Sequence, residues 1–386
     1  MNKNTINRIC LVFAYTLLLH FAAYSGMIFD EKNYVLRRNI VMLCIVVYLL
    51  VTNNKLPQLF SNKYHILWYL FSGIVAIAVF PLNIMNGIKL LCVPIVYFII
   101  MQYDKNLLYH VSFAMVINGA WILLQSLQLK GLSIGIYYSG VFSNTNTFGA
   151  SMACFFVGAC CIFLYAREVR TKVLTMGLAS VSFFFQLISF CRTALLTSVI
   201  IFSVFFLIVS NTSKNKVRLI LVYVICLVIT LGAFVFKGSE IIEYILIHVY
   251  KWGSASDSIS SSRVDMWMSV FRNPTVLGTN IKFHPHNNFV FVLYAYGIFA
   301  AILFVILVFG VLYKLGVLVK TENDIDMLIA CIFIIMFICV GTFEESLGFT
   351  GREWMVVGFV GLGYAMNCLK ITEKSKVSFV VKGKKL

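Results

Sequence analysis

Charged residues are scarce in this chain, and their scarcity excludes a soluble globular fold. Of its 386 residues, 12% are charged and 61% are hydrophobic, with a mean hydropathy of +0.92. A soluble domain carries about 25% charged residues. We find neither a soluble domain nor an internal repeat in the sequence. The missing repeat argues against transporter folds that are built from two matching halves.

Cysteine pairs with the spacing of a metal site are also missing. The 11 cysteines all lie within or at the edges of apolar runs, and none lies in the long polar segment 237–288. No two are spaced as C-x-x-C, which argues against bound metal and against a disulfide framework. No small-residue cleavage site follows the first apolar run, so we predict a retained helix there.

Long apolar runs recur along the chain and predict an all-α polytopic membrane protein. A helix needs about 20 apolar residues to cross a bilayer, and continuous runs favour helices over a β-barrel. We count about twelve runs of suitable length and interpret 1–386 as a single transmembrane domain. These runs are 9–29, 38–52, 66–81, 84–101, 107–125, 147–166, 173–190, 193–210, 218–236, 289–312, 326–343 and 354–369.

The distribution of Lys and Arg predicts the orientation in the membrane. Short loops on one side contain few of them apart from Arg37 and Arg38, so the positive-inside rule places both termini in the cytoplasm. The segment 237–288 is then a large extracytoplasmic loop, and 370–386 is a basic cytoplasmic tail, surface-bound or disordered. The net charge of +16 comes from residues at span ends, where they meet anionic lipids. We therefore predict no nucleic-acid binding.

The extracytoplasmic loop contains three recognisable parts. Ser239–Trp252 is typical of a helix lying along the membrane interface, and the serine-rich Gly253–Ser262 is typical of a mobile link. Arg263–Asn273 predicts a short amphipathic helix. The apolar residues expected on one face of that helix are Met266, Trp267, Val270 and Phe271.

Two asparagines at the start of the sixth run form the first candidate motif. The stretch Gly140–Gly149 reads G-V-F-S-N-T-N-T-F-G. Asn144 can cap the following helix, and an open helix N-terminus suits a phosphate or sugar hydroxyls. We predict that Asn144 and Asn146 bind substrate, with a purely structural turn and cap as the alternative.

Arg192 forms the second motif, because it lies between two apolar runs with almost no loop around it. It belongs to the stretch Ser189–Thr193, S-F-C-R-T. An arginine at the bilayer centre costs about 2.5–3.5 kcal/mol, and less near the interface. Its guanidinium suits bidentate phosphate binding. We predict a catalytic role for Arg192, with snorkelling to lipid head groups as the alternative.

The end of the long loop carries the third motif. Arg263 and Trp267 are one helical turn apart and can share a face, and His286 with Asn287 directly precede an apolar run. Histidine is suited to proton transfer near neutral pH. We predict that Arg263 and His286 are catalytic and that Trp267 and Asn287 bind substrate. The alternatives are a structural loop histidine, or His284 in place of His286.

Several other polar residues interrupt the apolar runs. Lys89 lies inside the fourth run, and we predict that it contacts substrate, because an intramembrane lysine usually has a function. No partner is evident for His20, His65 or His110, for which we expect no special role. The last outer loop is predicted to be a solvated turn with four charged residues: Glu344, Glu345, Arg352 and Glu353.

Together the three motifs resemble the O-antigen polymerase and O-antigen ligase superfamily (Wzy-like and WaaL-like membrane glycosyltransferases). Its pattern has G-x-F-x-N-x-N at a span entry, S-x-S-R-T at a span pair, and R-x-x-x-W with H-N or H-S closing a large outer loop. The likeness is specific over about 140–300. Cys191 and Thr145 stand where the family often has Ser and Pro, and neither change removes a charged group. The matching residues are Gly140–Asn146, Ser189–Thr193, Arg263–Trp267, His286, Asn287 and the later Gly297.

The resemblance implies a GT-C-like fold and a metal-independent glycosyltransferase without a cofactor. Such proteins act on the outer side of the bacterial cytoplasmic membrane. The implied partners are a glycan donor and acceptor linked to undecaprenyl pyrophosphate, anionic lipids and, as a further candidate, a chain-length regulator. Arg192 and Arg263 would stabilise the departing pyrophosphate, and His286 would accept the proton of the acceptor hydroxyl.

A polymerase is the favoured member of this superfamily, because the chain is short and its loop is modest in size. It would join oligosaccharide repeat units into O-antigen or capsule. A ligase that transfers the glycan to a lipid A core uses the same donor and is the first alternative. A flippase for lipid-linked oligosaccharides is the second, and it would work without His286. A channel or a scaffold ranks below both.

Overall fold

A bundle of α-helices forms the structure, a computed structural model that describes residues 3–28, 33–53, 57, 63–132, 138–212, 263–279, 285–322, 324–344 and 352–383. Within these ranges there is no strand, and the β contact that occurs is an isolated bridge between Met27 and Phe142. The all-α class predicted from the continuous apolar runs is confirmed.

The helices are numbered in chain order. They are α1 Lys3–Ala23, α2 Tyr34–Thr52, α3 Lys63–Val79, α4 Ile84–Tyr103, α5 Leu107–Lys130, α6 Thr145–Tyr165, α7 Val169–Ser189, α8 Arg192–Thr212, α9 Arg263–Arg272, α10 Asn288–Tyr296, α11 Ile298–Val305, α12 Val311–Glu322, α13 Ile325–Gly341 and α14 Glu353–Gly383. A 3₁₀ turn, Tyr24–Gly26, follows α1. A π-helical turn, Ile306–Gly310, joins α11 and α12 into one continuous helix.

Seven of these helices are long and apolar enough to cross a membrane: α1, α2, α4, α5, α6, α7 and the continuous helix from α11 to α12. Four shorter apolar helices are α3, the first part of α8, α13 and the first part of α14. Together they match every predicted run except 218–236, so a polytopic membrane protein is confirmed. That run lies outside the described residues, as do Ser239–Trp252 and Gly253–Ser262, and the count of twelve spans stays a prediction.

Helix α14 runs beyond the predicted last span, because it continues to Gly383. Its apolar part, Glu353–Leu369, matches the predicted run 354–369, and the basic cytoplasmic tail 370–386 stays a prediction.

Helix α6 occupies the centre of the bundle. In its apolar stretch, 83% of the residues are buried inside the bundle, against 22% in that of α2. Small residues allow close approach of its neighbours: a Cβ on Gly149 would lie 2.2 Å from Cβ of Cys191, and one on Gly158 would lie 2.7 Å from Cβ of Met115. The first turns of α6 therefore pack closely against the corner between α7 and α8.

Several helix ends meet at one end of the bundle, which we call the site end. A Cβ on Gly26, after α1, would lie 2.6 Å from both Thr147 of α6 and Arg352 before α14. The hydrogen bond between Tyr165 and Asp326 lies at the opposite end, where α6 finishes and α13 begins. Which end faces the cytoplasm stays a prediction of the positive-inside rule.

Thiol labelling tests this orientation. Ser143→Cys, at an exposed position of the site end, is expected to react with a membrane-impermeant maleimide on intact cells. Lys105→Cys, exposed at the opposite end, is expected to react only after the cells are permeabilised. The unsubstituted protein supplies the background of the native cysteines, and the reverse labelling pattern would contradict the orientation.

Candidate functional site at one end of the helix bundle

The first turn of α6 carries the two predicted asparagines. Asn144 caps the helix, and its side-chain oxygen accepts the backbone N–H of Asn146 at 2.8 Å. The preceding turn depends on Gly140, where φ is 54° and a Cβ would lie 2.3 Å from Oγ of Ser126. The carbonyl oxygen of the Asn144 side chain therefore serves the cap, whereas Asn146 lines a pocket.

The second motif forms a sharp corner that packs on the first. Phe190 is left-handed, with φ 52°, and ends α7. The next residue, Cys191, is 1% exposed, and its Sγ lies 3.6 Å from the backbone oxygen of Asn146. Arg192 then begins α8 and is partly exposed. The corner thus places an arginine beside the first turn of α6.

The Cys191 thiol shows which charges surround this corner. Burial raises the pKa of the thiol to about 12, and among the nearby charges the Glu344 carboxylate raises it while the Arg263 guanidinium lowers it. The thiol is therefore protonated near neutral pH and is not a nucleophile. Because both charges act on Cys191, Glu344 and Arg263 lie close to the corner.

The third motif is held against the end of α13 by hydrogen bonds. Nη1 of Arg263 donates to the backbone oxygen of Phe343 at 2.8 Å. Nε1 of Trp267 donates to the backbone oxygen of Pro285 at 2.6 Å. The indole N–H of Trp267 is thus used to position the approach to α10, which is a structural role beside its predicted substrate contact.

The predicted helix of the loop exists as α9, with a narrower apolar face than expected. Val270 is 5% exposed and packs on Val290 and Leu293 of α10, with Trp267 beside them. Phe271 lies one turn after Trp267 but is 55% exposed and does not join this packing. The packed stripe follows the spacing i, i+4, i+7 from Arg263, and Phe271 lies at its edge.

His286 and Asn287 directly precede α10 and differ in their surroundings. Asn287 is 6% exposed, and its Oδ1 accepts the N–H groups of Phe289 and Val290 at 2.9 and 3.1 Å. His286 is exposed, with a left-handed φ of 50°. Asn287 therefore caps α10, while the imidazole of His286 lies at the surface of the site end.

A polar pocket opens among α1, α6 and α14 at the site end. Its empty volume is about 330 Å³, the open mouth included. The residues that line it are Ala23, Asn146, Thr147, Ala150, Ser151, Glu344, Arg352, Glu353 and Trp354. Its polar groups come from the first turns of α6, from the segment after α13 and from the start of α14.

A buried chain of hydrogen bonds supports the pocket from behind. Nδ2 of Asn118 donates to Oε2 of Glu353 at 2.8 Å, and Nδ1 of His20 lies 3.0 Å from Oδ1 of Asn118. Because the Asn118 nitrogen donates, its oxygen accepts, so Nδ1 of His20 carries the proton. Glu353 is 4% exposed. The solvated turn was thus a wrong prediction for Glu353, and His20 has a partner that the sequence did not reveal.

Buried polar atoms of the pocket that have no hydrogen-bond partner among the described residues include Oε1 of Glu353 and Nη1 of Arg352. Burial lowers the pKa of Arg352, and the Glu344 and Glu353 carboxylates oppose that shift. Buried polar groups in folded proteins are almost always paired. The pocket is therefore a place where water or a polar ligand completes the hydrogen bonding of a guanidinium and a carboxylate.

The structure predicts a stabilising role for Asn118. Asn118→Ala removes the hydrogen bonds that Asn118 makes to His20 and to Glu353, and we expect the free energy of unfolding to fall by about 3 kcal/mol. Thermal unfolding of the protein in detergent measures the change. Asn106→Ala, at an exposed position without a side-chain cap bond, is the control and should change stability by less than about 0.5 kcal/mol. Equal midpoints for the two variants would rule out the stabilising role.

Lys89 is the predicted site residue that the structure leaves apart. Its side chain is exposed on α4, and it is not among the residues that line the pocket. Helix α4 packs on α2, α3 and α14. The packing of the described residues therefore offers no support for its predicted contact with substrate.

Three residues of the site were missed by the sequence reasoning: Asn118, Arg352 and Glu353. A signal was present, because an Arg-Glu pair directly before an apolar run and an asparagine inside another are both costly in a bilayer. What the sequence did not show is that these residues meet, since they belong to helices far apart in the chain.

Neither a scan against protein-family models nor a search of curated proteins found a match for this chain.

Proposed function

We propose that the protein is a membrane glycosyltransferase that polymerises oligosaccharide repeat units carried on undecaprenyl pyrophosphate. The observation that supports it best is the convergence of three separate motifs beside one polar pocket. Asn146 touches Cys191, and Cys191 lies within electrostatic range of Arg263 and Glu344. Residues that are spread over more than half of the chain thus meet near one pocket, and we assign the binding of an anionic, hydroxyl-rich substrate to the arginines and asparagines among them.

An activated donor keeps the chemistry of this reaction simple. The acceptor hydroxyl attacks the anomeric carbon, the bond from that carbon to the pyrophosphate oxygen breaks, and the lipid pyrophosphate leaves with the electron pair. Catalysis needs positive charge at the leaving group and an acceptor for the hydroxyl proton. Arg192 and Arg263 meet the first need, and the proposed reaction uses neither a metal nor a cofactor.

The hydroxyl proton has two candidate acceptors. We assign it to His286, because the motif places a histidine directly before the apolar run. Glu353 is the second candidate, because it lines the pocket and its Oε1 has no partner among the described residues. A base must come within hydrogen-bond reach of the proton that it takes, and paired variants of the two residues distinguish them.

The proposed setting is the bacterial cytoplasmic membrane, with the site end outside and about twelve spans in a GT-C-like arrangement. Asn146, with the neighbouring Ser151, would bind sugar hydroxyls in the pocket. The proposed partners are the lipid-linked donor and acceptor, anionic lipids, and a chain-length regulator as a further candidate.

Reconstitution tests the proposal directly. Purified protein in vesicles with an undecaprenyl-pyrophosphate-linked repeat unit is expected to form a ladder of longer lipid-linked glycans, with or without EDTA. Transfer to an added lipid A core would favour the ligase, and transbilayer movement without bond formation would favour the flippase. The absence of a new glycosidic bond with either acceptor would contradict the proposal.

A further inference from the structure

Arg38 is a buried arginine without an acid beside it among the described residues. It is the fifth residue of α2, about 6 Å from the start of the helix at 1.5 Å per residue, and it is 7% exposed. Among the described residues, Tyr97 and Tyr34 act on it electrostatically, and its Nε has no hydrogen-bond partner. The preceding residue, Arg37, is exposed and lies over the ring of Phe21.

Tyr97 contributes a second buried donor near Arg38. The residue is 1% exposed, and its hydroxyl has no hydrogen-bond partner among the described residues. Its ring packs against Trp68 and Phe359, with centroid distances of 5.9 and 5.7 Å. This packing holds the ring inside the bundle. The hydrogen-bond acceptor that the Tyr97 hydroxyl and Nε of Arg38 lack among the described residues must therefore come to them.

The chemistry of the two groups decides what this partner is. A guanidinium stays charged and can only donate hydrogen bonds. A buried charge without a counter-ion costs several kcal/mol. Snorkelling to the membrane surface would lower that cost, but it would leave Arg38 exposed. A bound anion removes the cost, and phosphate matches the geometry of a guanidinium.

We infer that Arg38 and Tyr97 form a binding site for the phosphate group of a membrane lipid. Of the seven long apolar helices, α2 is the least buried, at 22%, so α2 lies at the edge of the bundle, and the lipid would approach the buried Arg38 beside this helix. A depth of about 6 Å, roughly one helical turn, suits a head group. Tyr34 lies within electrostatic range of both Arg38 and Arg352, which places this site on the same side of the bundle as the pocket. The inference stands whether or not the protein transfers sugars; assigning the phosphate to the lipid-linked donor rests on the proposed function.

Ligand-induced stabilisation of the full-length protein, purified free of phospholipid in a maltoside detergent, tests the site. Undecaprenyl pyrophosphate is expected to raise the unfolding temperature of the wild type. Arg38→Met should weaken the apparent affinity about 100-fold. Arg37→Met makes the same charge change one residue earlier and should leave the affinity unchanged. Equal affinities for Arg38→Met and the wild type, or equal losses in both variants, would overturn the inference.

Parallel probes identify the source of the phosphate. Phosphatidylglycerol tests a general anionic lipid, and inorganic pyrophosphate tests a free anion. An Arg38-dependent response to either lipid supports the site. An equal Arg38-dependent response to inorganic pyrophosphate would overturn the assignment to a lipid. Binding that persists in a preparation without any glycosyl transfer would reject the proposed function and leave this inference standing.

Stability without ligand gives a readout that a structural role for Arg38 would move in the opposite direction. Arg38→Met removes an uncompensated buried charge, so its unfolding temperature should equal or exceed that of the wild type. A lower temperature would reveal an internal counter-ion and overturn the inference.

Tyr97→Phe removes a single hydroxyl and should weaken binding about tenfold. Asp30→Asn and Glu31→Gln, outside the described residues, should leave binding unchanged.

Discussion

Replacing His286 with asparagine is expected to stop polymer formation while the protein stays folded and inserted. Positioned proton transfer contributes about 10²–10⁴-fold in rate, and asparagine cannot accept the proton at neutral pH. Asparagine is chosen because φ at His286 is 50°, a conformation that it adopts more readily than alanine. The initial rate of the reconstituted reaction and the length of the glycan ladder measure the effect at matched protein level.

Glu353→Gln is the paired variant, because it keeps the shape of the side chain and removes the carboxylate. If His286 is the base, this variant should mainly raise KM, and His286→Asn should remove the lower limb of the pH–rate profile. Loss of turnover in Glu353→Gln, with full activity in His286→Asn, would assign the proton to Glu353. His284→Ala, two residues before His286 and outside the described residues, is the control and should be mild.

Normal polymer in both variants would contradict the proposed mechanism. Unfolding temperatures of the two variants separate a lost base from a lost fold, because Glu353 also accepts the hydrogen bond from Asn118. A variant that keeps the wild-type midpoint and loses the reaction has lost chemistry rather than structure.

Alanine at Arg192 or Arg263 is expected to reduce the rate of glycosyl transfer by about 10–100-fold. The reason is that each charge-assisted hydrogen bond to the departing pyrophosphate is worth about 1.5–3 kcal/mol. Lysine at either position should restore part of the rate, because an ammonium keeps the charge but loses the bidentate geometry. Single-turnover rates with a saturating donor measure the effect.

Arg272→Ala is the matched control for Arg263→Ala, because Arg272 is the exposed last residue of the same helix, α9. It should leave the rate near that of the wild type. The double variant of Arg192 and Arg263 should lose less than the sum of the single losses if both contact one pyrophosphate. Wild-type chain lengths from Arg192→Ala would reject its assignment to the leaving group.

The sequence by itself determined the membrane architecture of this protein. Runs of about 20 apolar residues have few stable fates other than a helix in a bilayer, because lipid offers the backbone no hydrogen-bond partners. Helix caps and corners were also predictable from the local sequence. Asn144 caps α6, the stretch around Arg192 is a corner with almost no loop, and Arg263 opens a short helix, as the residues predict.

The tertiary structure alone decided which polar groups form the pocket. Asn118 and Glu353 are separated by 235 positions and share a hydrogen bond, because α5 and α14 pack together. Sequence periodicity shows which residues of a helix share a face, but it does not show which neighbour covers that face. The sequence therefore suggested a solvated turn for Glu353, which packing buries, and a span-end cation for Arg38, which is buried with no counter-ion among the described residues.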